Sequence, residues 1–154
     1  MRIRIICEGK TKDEHLRALQ AEFKKRIAHF CELTVEELKP QEIRTERAEN
    51  RLTPGEQRLL EKLTGSTKIL LDERGCQWTS AELAEWLGKQ ALRGTRELAF
   101  VLGGPDGFSR AFRQRADLVL ALSRMTFPHD WARALLLEQL YRGFTILRGY
   151  PYPR

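Results

Sequence analysis

Two short apolar runs, residues 98–102 (LAFVL) and 118–122 (LVLAL), constrain this chain more than any other feature. Each is too short for a buried helix, is sharply bounded and carries no polar side chain. That is the pattern of a strand covered on both faces. Such strands need helices above and below, and the remaining sequence provides them. Ile3, Ile5, Ile6 and Cys7 form a first strand that Gly9 ends. A capping-box pattern, Thr11-Lys12-Asp13-Glu14, opens an amphipathic helix over 12–30, with Leu16, Leu19, Phe23, Ile27 and Phe30 at spacings of three and four. Leu33 and Val35 mark a second strand, and the charged segment 39–51 has no period and reads as a surface loop.

Thr53-Pro54-Gly55-Glu56 places a cap, an N1 proline and an N3 glutamate before Leu59, Leu60 and Leu63, so a second helix starts there. Residues 68–72 are the third strand, with 73–76 as its outgoing loop, and Thr79-Ser80-Ala81-Glu82 begins a helix that Gly94 stops. A short basic helix with Arg110, Arg113 and Arg115 separates the two apolar runs. Asp130 is the expected cap of a last helix from Trp131 to about Thr145. This alternation predicts one α/β domain over residues 1–154, its sheet mostly parallel and its helices on both faces.

Charge narrows the partners. The formal net charge is +6, yet residues 1–106 hold 19 basic and 18 acidic side chains, whereas residues 107–154 hold 8 and 3. An excess concentrated beside strand-end loops favours a polyanion, nucleic acid first and phosphate-bearing small molecules next. Arg110, Arg113 and Arg115 are the candidate phosphate contacts, while Lys24, Lys25 and Arg26 could touch RNA but read better as a solvated helix face. Cys7, Cys31 and Cys76 are odd in number, lack a CxxC pair and have only three histidines for company, which argues against a structural zinc site. Free thiols, without a secretory or membrane-spanning apolar run, predict a cytoplasmic protein.

Several enzyme classes are excluded by what is missing. There is no G-x-G-x-x-G turn after the first strand, no phosphate-binding G-x-x-x-x-G-K-[ST] and no G-x-S-x-G elbow. What remains is a pair of loops at strand ends, Gly103-Gly104-Pro105-Asp106-Gly107 and residues 123–129. They suit a ligand that is part apolar, part cationic and bound by main-chain groups. Leu71, Leu122, Met125 and Phe127 offer apolar walls, and Gly103 and Gly104 allow close main-chain approach; the same side chains also suit a core.

LSRMTFPH at 122–129, the preceding GGPDG, EQLYR at 138–142 and the final Pro151-Tyr152 occur in one order and spacing, with Leu70-Leu71-Asp72 and Gly75 before them. Together they resemble the large-subunit ribosomal RNA methyltransferase H family of the SPOUT superfamily. The resemblance implies a C-terminal trefoil knot, which the residue pattern does not reveal and ordinary connection rules disfavour. It also implies S-adenosylmethionine bent against Leu71, Gly103, Leu122, Ser123, Arg124, Met125, Thr126 and Phe127, its adenine read by backbone groups. The implied reaction is methylation of N3 of a pseudouridine in 23S ribosomal RNA, by a homodimer acting on the assembled ribosome.

The candidate catalytic residues are Arg133, Arg142, Tyr152 and His129. Arg133, one turn into the last helix, is expected at the pocket mouth; Arg133, Arg142 or Arg154 near the base carbonyls would favour the N3 anion. Glu138 and Arg142 also fit a plain i,i+4 pair, and His129 a helix-entry residue. The last helix, with Leu136, Leu137, Leu140 and Tyr141, is the expected dimer surface, though half of that apolar set must face its own sheet. The family pattern closes with a histidine directly after Pro-Tyr, where this chain has Pro153. Two rival readings are an RNA-binding module without catalysis and a flavodoxin-like nucleotide-binding protein.

Overall fold

The structure is a computed structural model that describes residues 1–39, 50–104 and 107–152. The surface loop expected at 39–51, Pro105-Asp106 within GGPDG, and Pro153 and Arg154 therefore lie wholly or largely outside the described residues. Five strands alternate with helices: β1 (Arg2–Glu8), α1 (Glu14–Ile27), β2 (Leu33–Leu38), α2 (Pro54–Lys62), β3 (Thr67–Gln77), α3 (Ser80–Leu92), β4 (Glu97–Leu102), α4 (Arg110–Arg113), β5 (Leu118–Ala121) and α5 (His129–Arg148). The strands form one sheet in the order β2-β1-β4-β3-β5, and every pairing is parallel.

Both faces of the sheet are covered. One core layer joins Ile3, Ile5, Ile69, Leu98, Phe100 and Leu120 to α1, α3 and α5; the other joins Ile6, Leu70, Ala99 and Val101 to α2 and α4. The central strand β4 is buried along its whole length, which explains its unbroken apolar run. Leu136, Leu137 and Leu140 of α5 are 0% exposed and belong to the first layer. They are thus not a dimer surface: each stabilises its own chain by about 2 kcal/mol of burial. The apolar side chains that α5 leaves exposed are Trp131, Ile146 and Leu147.

Local chemistry sets most element boundaries. Thr53 and Thr79 each accept from the N3 amide while Glu56 and Glu82 return a bond to the cap, so both boxes form as the sequence indicates. The first helix differs. Its cap is Asp13, which accepts from the Leu16 amide at 2.9 Å, because the Thr11 hydroxyl instead donates to Gln20. The last helix begins at His129 behind Pro128, without a side-chain cap, so Asp130 sits in its first turn rather than before it. Gly149, at φ +64°, closes that helix, as the left-handed C-terminal position requires.

β3 runs on where a loop was expected. Leu71 and Cys76 both face Leu120 on β5, and residues 72–75 between them fall outside the regular register. A Cβ at Gly75 would stand 2.6 Å from the Val119 carbonyl, so only glycine lets this segment pass β5 so closely. Burial alone would raise Asp72, but hydrogen bonds from Arg74 outweigh it and hold the carboxylate below its ordinary value.

Candidate active site

An all-parallel sheet delivers the C-terminal ends of its strands to one edge, and the register aligns three of them. Leu71 of β3 lies opposite Leu102 of β4 on one side and Leu120 of β5 on the other. Gly103 follows Leu102 directly and Leu122 comes two residues after Leu120, so both leave the sheet at the same edge as Leu71. Three segments distant in sequence meet here, as expected for a site at strand ends. Leu71, Gly103, Leu122, Ser123 and Phe127 are half-buried; Arg124, Met125 and Thr126 are exposed.

The loop after β5 is lightly tied. The Met125 amide donates to the Ser123 hydroxyl at 3.0 Å, and the Thr126 hydroxyl donates to Glu73 at 2.8 Å. Among the described residues, the other main-chain groups of 123–127 have no protein partner. With Met125 75% exposed beside them, these residues fit a ligand that is partly apolar and read through the backbone.

The opposite wall is stiffer. A Cβ on Gly103 would meet the Phe108 ring at 3.1 Å, and one on Gly104 would run into the Glu8 carboxylate. The sequence reading missed the residue that anchors this wall. Glu56, 3% exposed, accepts from the Ser109 amide at 2.8 Å and its hydroxyl at 2.7 Å, tying the start of α4 to that of α2. A glutamate already explained as a capping-box member carries no second signal in the sequence. Arg113 donates to the Phe108 carbonyl at 2.6 Å, so of the basic trio Arg110 and Arg115 are the exposed members.

The four candidate catalytic residues do not converge. Arg133 was expected at the pocket mouth but is 1% exposed. Its terminal nitrogens donate to Thr11 (3.1 Å), Glu37 (3.0 Å) and the carbonyls of Glu8 (3.4 Å) and Gly9 (2.9 Å), fastening the end of β1 to α5. His129 is half-buried at the start of α5, next to the β5 loop.

Arg142 and Tyr152 share a different seat. Glu138 accepts from Arg142 Nε at 3.0 Å and from the Tyr152 hydroxyl at 3.2 Å. The Arg142 guanidinium stands 4.7 Å above the Tyr152 ring, and Tyr141 meets that ring edge-on at 4.8 Å. Burial first, then the Glu138 carboxylate, pushes the Tyr152 phenol above its ordinary value, so at neutral pH it is a neutral donor. Thirteen helical residues separate His129 from Arg142, about 20 Å along α5.

The cysteines add no chemistry to this edge. Burial pushes the Cys7 and Cys31 thiols up to about 11, far from thiolate character at neutral pH. Among the described residues, no helix is long and apolar enough to cross a membrane.

A covered parallel sheet with a backbone-lined ligand edge agrees with what the chain resembles. A family model described as "Predicted SPOUT methyltransferase" matches residues 1–153. The ribosomal RNA large subunit methyltransferase H of Trichlorobacter lovleyi is 43% identical over 152 residues, covering 99% of each chain. Its namesake in Gloeobacter violaceus is 40% identical over 153 residues, covering 99% of this chain and 98% of the relative. The chain belongs to the ribosomal RNA large subunit methyltransferase H family of SPOUT methyltransferases.

Proposed function

We propose that this protein is an S-adenosylmethionine-dependent methyltransferase that modifies N3 of a pseudouridine in 23S ribosomal RNA, on the assembled large subunit and as a homodimer in the cytoplasm. The observation that carries the reading is the placement of Leu71, Gly103 and Leu122 at one sheet edge, beside a loop whose main-chain groups are mostly without partners among the described residues, in a chain of this family. When bound, the cofactor supplies an electrophilic methyl group on a sulfonium. Leu122, Ser123, Arg124, Met125, Thr126 and Phe127 would hold it against Leu71 and Gly103, and Phe108 and Glu56 would keep the glycine wall in place.

The chemistry asked of the protein is modest. The imide N3–H must lose its proton, and N3 must be aligned with the methyl carbon. Tyr152 is held protonated and so donates rather than accepts, while Arg142 brings a positive charge that stabilises the imide anion through its carbonyl oxygens. Arg133, buried with its terminal nitrogens bonded to Thr11, Glu37 and the carbonyls of Glu8 and Gly9, acts by positioning rather than by touching the base. Solvent is the proposed proton acceptor, consistent with Pro153 where relatives carry histidine.

The separation along α5 supports the homodimer. Glu138, which holds Tyr152, lies nine residues beyond His129, roughly 14 Å along α5, more than a single base bridges. A second copy would bring its own tail to the loop, meeting it through exposed side chains such as Trp131. The test is methyl transfer from labelled S-adenosylmethionine to ribosomes lacking the modification, using two inactive variants, Thr126→Trp and Tyr152→Ala, alone and mixed. Mixing should restore about a quarter of wild-type activity, because half the random dimers hold one intact composite site. No transfer by the wild type would remove the enzyme reading, and no recovery on mixing would remove the shared site.

A further inference from the structure

A second cleft lies away from the cofactor edge. It has a volume of about 310 Å³ and is bordered by α1, β2 and α5, and none of the residues expected to hold S-adenosylmethionine lines it. Lys10, Arg17, Lys24 and Arg133 face it, against one carboxylate, Glu37, which is itself bonded to Arg133. Lys10, Arg17 and Lys24 are exposed, and among the described residues none of them has an ion-pair partner. Arg133 is buried, and its Nε has no hydrogen-bond partner among the described residues. Three solvated cations around one cleft, over a buried arginine and against a single carboxylate, make it electropositive and suited to an anion.

We propose that this cleft docks the phosphate backbone of RNA, at a site separate from the one that performs methyl transfer. That the polyanion is RNA rests on the function proposed above; that it is a polyanion rests on geometry. Arg17 and Lys24 lie seven residues apart on one face of α1, about 10 Å along the helix axis, and Lys10 extends the row. A row of that length spans successive phosphates, whereas a single small anion would leave most of it unused. The sequence held the signal in the spacing 10, 17, 24, hidden because Lys10 precedes the helix and Lys24 sits in the run Lys24-Lys25-Arg26.

The test uses the full chain and a labelled single-stranded RNA oligonucleotide, with binding followed by fluorescence anisotropy across a salt series. The three side chains are exposed, so Lys10→Gln/Arg17→Gln/Lys24→Gln should fold and keep its melting temperature and S-adenosylmethionine affinity. RNA affinity should fall at least about tenfold at low salt, and the log–log salt slope should drop by about 2, roughly 0.7 per lost single-strand phosphate contact. A control, Arg93→Gln/Arg96→Gln/Arg148→Gln, removes the same charge elsewhere and should lose distinctly less. Equal losses in the two triples would mean general surface charge and overturn the site. Pyrophosphate titrated by calorimetry forms the second arm: binding lost in the cleft variant while the RNA slope stays unchanged would make this a free-anion site and overturn RNA docking. A wild type that shows the RNA effect but neither binds S-adenosylmethionine nor transfers methyl would overturn the enzyme reading and leave this site standing.

Discussion

The two ends of α5 have opposite construction. At the His129 end, the loop that follows β5 is held by two side-chain hydrogen bonds and exposes Met125. At the far end, Glu138 gathers Arg142 and Tyr152, and Tyr141 stacks edge-on behind them. The first arrangement leaves main-chain groups available to a ligand that arrives and departs. The second has satisfied its groups internally, which presents a neutral phenol and a guanidinium with little ordering cost. An enzyme that must both exchange a cofactor and position a large RNA needs one end of each kind.

The comparison breaks most easily at the loop. Thr126→Trp removes the bond to Glu73 and fills the space beside the free amides. S-adenosylmethionine affinity should fall by about 1,000-fold, roughly 4 kcal/mol, while circular dichroism shows an unchanged fold. Calorimetry that finds wild-type affinity would place the cofactor elsewhere.

Arg133, one turn in from the His129 end, ties α5 to the end of β1, and its loss should read as instability. Arg133→Ala leaves the Glu37 carboxylate and the carbonyls of Glu8 and Gly9 without their donor. Because Glu37 is partly solvated, the cost is expected near 3 kcal/mol rather than higher. Denaturant titration measures it. Undiminished stability combined with lost activity would return Arg133 to a direct role in catalysis.

The tail seat sharpens the contrast through kinetics. Tyr152→Ala should lower kcat by about 30-fold, some 2 kcal/mol of transition-state stabilisation, and leave cofactor affinity untouched. His129→Ala, at the other end, should change kcat by no more than about threefold. A rate that rises through the histidine range and disappears in His129→Ala would make His129 the proton acceptor.

The smallest effect expected is on acid stability. Asp72 is held low by Arg74, and Glu97, which burial would raise, is held low by Ser66, Arg4 and Arg2. Depressed carboxylates contribute stability that is complete above their unfolded values, about 3.9 for Asp and 4.3 for Glu, and lose it as pH falls through the folded ones. Melting temperature should therefore hold between pH 5 and 7 and decline below about 4. Asp72→Asn should flatten part of that decline, and an unaltered profile would remove the Arg74 pairing from the account.

Much of this architecture was legible before any coordinates. The runs at 98–102 and 118–122 announced buried strands because a strand covered on both faces has no polar side to show. Thr53 with Glu56, and Thr79 with Glu82, announced helix starts because the reciprocal bonds are local to four residues. Family motifs named the family, which the matches over the full chain bear out. What stayed illegible involves partners far apart in sequence: Thr11 lost its capping role to Gln20 and Arg133, and which half of the set Leu136, Leu137, Leu140 and Tyr141 faces its own sheet was decided by packing, which buries all three leucines.

Local interactions thus belonged to the sequence alone: strand periodicity, the capping boxes at Thr53 and Thr79, and the class of ligand that the strand-end loops suit. Tertiary structure decided which of those local features share a neighbourhood. Parallel pairing of β4, β3 and β5 brought Gly103, Leu71 and Leu122 to one sheet edge, and the packing of α1 on α5 set Arg133 in one cleft with Lys10, Arg17 and Lys24. The physical reason is range. Capping and periodicity act within a few residues, whereas burial and charge pairing depend on which surfaces the sheet order brings into contact, and a sequence read one segment at a time does not carry that order.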